Sequence, residues 1–79
     1  MFDLVIYYLS NVRHIEQRHV CNIVVESKNA GHNRISRIMQ TGLWLSQVDD
    51  VGASYDEYIP PHHIAGAVLQ KQGVCVEVE

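Results

Sequence analysis

Four groups of residues in this chain have types and spacings that could do chemistry. The first is His32, Arg34 and Arg37, two guanidiniums three positions apart with an imidazole just before them. On a helix beginning near residue 32 they would stand in its first turns, where their charge opposes the positive end of the helix dipole. A phosphate, a carboxylate or an acidic partner surface would gain from both arginines and from the free backbone N–H groups there. The plainer alternative is two solvated arginines, at a cost of about a few tenths of a kcal/mol. The second group is Tyr55, Tyr58, His62 and His63, spread along a segment that also holds Pro60 and Pro61. Tyrosines, prolines and histidines on a loop suit contact with a protein or peptide. Tyr58 and Ile59 could equally do no more than anchor that loop on the core.

The third group is a set of potential metal donors. His19 and Cys21 fall on one face of a strand by alternation, and His62–His63 could approach in space. No CxxC, HxxxH or clustered His/Cys spacing accompanies them, and adjacent histidines rarely both face one ion, so no metal ligand and no cofactor is assigned. The fourth is thiol chemistry. Cys21 falls on an apolar strand face beside Ile23 and Val25, where a thiol stays protonated, and Cys75 is flanked by glutamates that disfavour a thiolate. Phosphate loops, dinucleotide fingerprints, zinc-protease motifs and nucleophile elbows are missing. Asp49–Asp50 and Asp56–Glu57 read as solvated turn pairs rather than acid–base dyads. No catalytic residue is assigned, and an enzyme or metal-binding protein ranks last among the readings.

Bulk properties narrow the class. The chain has 79 residues, 47% apolar and 19% charged, which is one small globular domain. Its apolar opening, residues 1–10, is too short to span a bilayer and lacks the form of a secretory signal. A cytoplasmic address, no membrane partner and two reduced thiols are therefore expected. The net charge of −3 argues against a general affinity for nucleic acid. That charge is unevenly laid out. Residues 10–41 carry five cations against two carboxylates, and residues 42–79 carry one cation against six.

The elements that must position these groups follow from periodicity. Residues 2–9 form a strand apolar on both faces, hence a central one, with a helix as the lesser alternative. Residues 10–18 connect, 19–26 form a second strand, and 27–31 (SKNAG) have turn chemistry. Ile35, Ile38, Met39 and Leu43 give a helical stripe, placing a short helix near 32–41, capped by Asn29 or Asn33 and stopped by Gly42. Residues 43–48 form a strand and 49–54 a turn. Residues 61–72 admit two readings. In one, a strand at 55–59 turns through 60–63 into a strand at 64–70 that hairpins into 74–78. In the other, 61–72 is a second helix. The strand reading is preferred, and Val74, Val76 and Val78 give the final strand one apolar face.

The stretch from Tyr58 through His62, Ile64 and Val68 resembles the fourth-strand motif of bacterial Sm-like RNA-binding proteins. The resemblance covers about 11 residues of the chain. The chain departs from that family in having its helix mid-chain rather than at the N-terminus, and its glycine-bearing first motif has no counterpart. The resemblance implies only that a small barrel-like sheet is among the possible folds.

Together these readings predict a single α+β domain, residues 1–79, with a small, mostly antiparallel sheet of five to six short strands and one short helix. The alternative is a four-stranded sheet with a second helix at 61–72. One short helix covers one face of the central strand, so the strand reading expects a homo-oligomer to cover the other. The leading functional expectation is a non-enzymatic, self-associating interaction module that recognises a protein or peptide. The alternative is a nucleic-acid or phosphorylated-ligand binder using the basic residues 10–41.

Overall fold

A computed structural model describes residues 1–71 and gives an α+β domain. Strand β1 (Phe2–Leu9) is central in a three-stranded antiparallel sheet, with β2 (Arg18–Val25) on one side and β5 (Ile64–Lys71) on the other. A helix, α1 (Lys28–Thr41), and a hairpin of β3 (Leu43–Val48) and β4 (Ser54–Ile59) complete the fold. Residues Pro61–His63 make a single 3₁₀ turn before β5. The expected terminal strand at 74–78 lies outside the described residues.

Alternation in β1 divides the molecule into layers. Leu4, Ile6 and Tyr8 point inward and are almost wholly buried, and with Ile38, Leu43 and Ile59 they form the core. Burying each such side chain contributes about 1.5–3 kcal/mol, so these few positions dominate stability. The inner face of the sheet therefore packs on both α1 and the β3–β4 hairpin. The helix comes down close to β5: a Cβ added at Gly31 would lie 2.7 Å from the Leu69 side chain.

One expectation is corrected, and the choice left open at residues 61–72 is decided for the preferred strand reading. The helix begins at Lys28 rather than near 32, because Ser27, not Asn29 or Asn33, is its N-cap. The Ser27 Oγ accepts the Ala30 N–H at 3.1 Å, so the apparent turn SKNAG is a cap and first helical turn. Gly31 looks like a breaker in sequence but is what lets the helix approach Leu69. The second helix at 61–72 does not form. Pro61 starts only a 3₁₀ turn, and the pairing of residues 64–71 with β1 overrides the weak strand propensity of Ala65, Gly66 and Ala67.

A polar clasp joins the layers. Ser10, at the end of β1, donates its hydroxyl to Glu57 Oε2 at 2.6 Å, and the Asn11 N–H donates to the same oxygen at 3.1 Å. Ser10 Oγ in turn accepts the N–H groups of Val12 and Arg13. Tyr8 Oη accepts from the Gln47 side-chain amide at 3.1 Å. Glu57 is buried and Asp56 exposed, so strand alternation splits a pair that the sequence presents as one solvated turn.

Candidate functional site

The outward side of the hairpin is built from residues that alternate away from the core. Trp44 and Tyr58 are directly opposed in the β3–β4 register, as are Ser46 and Asp56. The two aromatic rings lie 5.3 Å apart at 45°. Trp44 is 68% exposed and Tyr58 40% exposed, so this aromatic pair faces solvent.

The pair is fixed from beneath. Tyr58 Oη donates to the Thr41 carbonyl at 2.8 Å, and the Thr41 hydroxyl donates to the Arg37 carbonyl at 2.9 Å. Gly42 ends the helix at φ 86°, in the left-handed region. A Cβ there would come within 2.6 Å of the Ile59 carbonyl oxygen and of the Tyr58 ring. Only glycine permits both the backbone turn and the closeness of the tyrosine.

Beside this platform, Arg34, Arg37, Thr41, Gly42 and Trp44 line a cleft of about 300 Å³. Helical spacing of three puts the two guanidiniums on one face. Neither pairs with an acidic side chain among the described residues. The helix start at Lys28 removes both arginines from the first turn, so they do not form the N-terminal anion site that the sequence suggested.

The other predicted residues go elsewhere. His32 is exposed on α1 and does not line the cleft. Tyr55 lies on β4, three residues before Tyr58, so it faces the opposite way and borders a separate hollow with Arg13, His14, Asp49 and Asp50. His62 and His63 sit on the 3₁₀ turn with their rings edge to face at 4.5 Å. The structure thus gathers Arg34, Arg37 and Tyr58, and separates them from His32, Tyr55, His62 and His63. Trp44 was missed because LWLSQV reads as strand core; the available signal was its odd position relative to Leu43 and Leu45. The basic residues also disperse: Arg13 borders the second hollow, Arg18 shares the outer sheet face with Leu9, and Arg34 and Arg37 line the cleft.

Of the potential metal donors, His19 is held within the fold. His19 Nε2–H donates to the Arg13 carbonyl at 3.0 Å, and its ring stacks on Tyr8 at 5.5 Å. No cluster of His, Cys, Asp or Glu suited to a metal occurs among the described residues. Cys21 is a free thiol facing inward. Burial pushes its pKa above the ordinary value of 9.0, against the downward pull of Arg34.

The second surface is the outer face of the three-stranded sheet. Register places Val5 with Asn22 and Val68, Tyr7 with Val20 and Gly66, and Asp3 with Val24 and Gln70. Val20 is 59% exposed, Val24 51% and Val68 46%. No element among the described residues covers this face.

No helix among the described residues is long and apolar enough to cross a membrane. No protein-family model, curated protein or solved structure matches the chain.

Proposed function

We propose that this chain is a small non-enzymatic interaction module that self-associates through the outer face of the β2–β1–β5 sheet and recognises a protein or peptide partner elsewhere on its surface. The observation that carries this reading is the exposure of Val20, Val24 and Val68 around Val5 and Tyr7 on one uncovered face. A second copy suits that face because its exposed aliphatic positions run across all three strands, so a two-fold axis lays the same patch of one copy on that of the next. The small core also favours self-association, since a domain this short leaves a large fraction of its apolar surface exposed. A free Cys21 accords with the reducing, cytoplasmic setting in which we place the protein.

Size sets the expected strength. Three eight-residue strands present a face of about 26 Å by 14 Å, or about 370 Å². Stable interfaces bury about 800 Å² per partner, so association in the micromolar range is expected rather than an obligate dimer. Sedimentation velocity across about 1–200 μM should show a concentration-dependent species heavier than the 9.0 kDa monomer. Val20→Lys with Val24→Lys should abolish it while the far-UV spectrum is kept. A wild-type chain that stays monomeric throughout that range sinks the proposal.

The nucleic-acid alternative is weaker on this geometry. Its cations are dispersed over three surfaces, and Asp56 stands beside the aromatic pair. A phosphate-tracking site needs a continuous basic path.

A further inference from the structure

We infer that the cleft between α1 and β3 is the partner site of this module, and that it takes an extended peptide segment in which an acidic side chain lies next to an aromatic or aliphatic one. This rests on the reading of the chain as a protein-recognition module and names the chemistry of the partner.

Three observations combine. Arg34 and Arg37 line the cleft with no acidic side chain paired to them among the described residues. Two guanidiniums three positions apart on a helix repel one another, a small standing cost that an incoming carboxylate relieves. Next, the Trp44–Tyr58 pair is exposed yet held rigid: Tyr58 by its hydrogen bond to Thr41, both rings by their mutual packing, and the chain beneath by Gly42. A large aromatic surface already fixed in place loses little conformational freedom on binding. Trp, Tyr and Arg are also the residue types that dominate binding energy at protein interfaces.

The third observation excludes a polyanion. Asp56 shares the outer face with the aromatic pair, two positions along β4 from Tyr58, and accepts a hydrogen bond from Ser46 at 3.0 Å. Two strand positions amount to about 7 Å. The surface therefore reads in order as cationic at Arg34 and Arg37, aromatic at Trp44 and Tyr58, and anionic at Asp56. A nucleic-acid strand crossing it would bring a phosphate to a carboxylate. A peptide matches it with an acidic residue at the helix, an apolar residue on the indole, and a neutral or basic residue toward Asp56.

Trp44 is the only tryptophan in the chain, so its fluorescence reports on this cleft alone. The probes are capped hexapeptides of sequence Ala-Asp-Glu-Leu-Lys-Ala, its Asn-Gln counterpart and its charge-reversed Lys-Lys-Leu-Glu counterpart, with a hexauridylate as the nucleic-acid control. The acidic peptide should shift Trp44 emission to shorter wavelength in a saturable way and bind about tenfold tighter than the Asn-Gln peptide, a difference of the size expected from two exposed charge pairs. Arg34→Gln with Arg37→Gln should erase that preference without altering the sedimentation behaviour. Asp56→Lys should weaken the acidic peptide's binding by removing the contact to its lysine. No response to the acidic peptide, or equal response to the neutral one, overturns the proposal, as does tighter binding of hexauridylate. If self-association fails but the acidic peptide still binds, the peptide site stands and the oligomeric part of the proposed function falls.

Discussion

The two outward faces of this molecule are made by the same rule and differ in kind. Both consist of the strand positions that alternate away from the core. On the three-stranded sheet the outward set is aliphatic: Val5, Val20, Val24 and Val68 around Tyr7. On the hairpin it is aromatic and polar: Trp44 with Tyr58, Ser46 with Asp56, flanked by the helix arginines. An aliphatic sheet face has no directional groups and selects a partner by shape and area. An aromatic pair between opposite charges selects by orientation and chemistry. On the proposed reading, the first surface serves a copy of the chain and the second a partner unlike it.

If the aromatic side depends on local backbone geometry, Gly42→Ala is the severest way to break the contrast. It places a Cβ in the left-handed region at φ 86° and within 2.6 Å of the Ile59 carbonyl oxygen. A loss of about 3 kcal/mol in urea unfolding is expected, with a changed Trp44 spectrum in whatever remains folded. Loss of under half that would mean the turn has slack that the structure does not show. A milder cut is Tyr58→Phe, which removes only the hydroxyl bond to Thr41. It should cost about 1 kcal/mol in the same assay and leave self-association as it was. A drop in self-association would show that the two faces are coupled.

The smallest effect probes the sheet from its inner side. Cys21 has its folded-state pKa raised above 9.0, so the folded form holds the thiol proton after the unfolded chain has released it. The stability this contributes is present below about pH 9 and is lost as pH rises through the folded-state value. Comparing wild type with Cys21→Ala between pH 7 and 10.5 isolates this contribution, since other titrating groups are common to both. A wild-type curve that stays parallel to that of the variant would mean the thiol is not shielded.

Where local and global signals agreed, the sequence was legible. Strand β1 is apolar at both parities, and it is central. The stripe of Ile35 and Ile38 gave the helix its inward face. The helix start was obscured because Ser27 and Gly31 each have two meanings that only tertiary placement separates, cap or turn in one case and breaker or close approach in the other. Residues 61–72 were ambiguous because Ala and Gly favour strands no more than helices, and pairing with β1 decides the matter. At the site, Arg34, Arg37 and Tyr58 were singled out for their chemistry. Their meeting at Trp44 was hidden because it depends on the angle at which a helix hands over to a hairpin. That angle is set by one glycine with no side chain to announce it.

That handover also acts as a ruler. Helix α1 ends at Thr41 and β3 begins at Leu43, so a single residue separates the arginine-bearing element from the indole-bearing one. An inserted residue between Arg37 and Thr41 would turn the arginines by about 100° around the helix axis relative to Trp44. A deletion would turn them as far the other way. The charge-to-aromatic spacing is thus written in chain length as well as in the Gly42 turn and the Tyr58–Thr41 bond. Arg34, Arg37 or Trp44 can be exchanged without moving the others, whereas a change of a single residue in the length of residues 38–42 would dismantle the cleft.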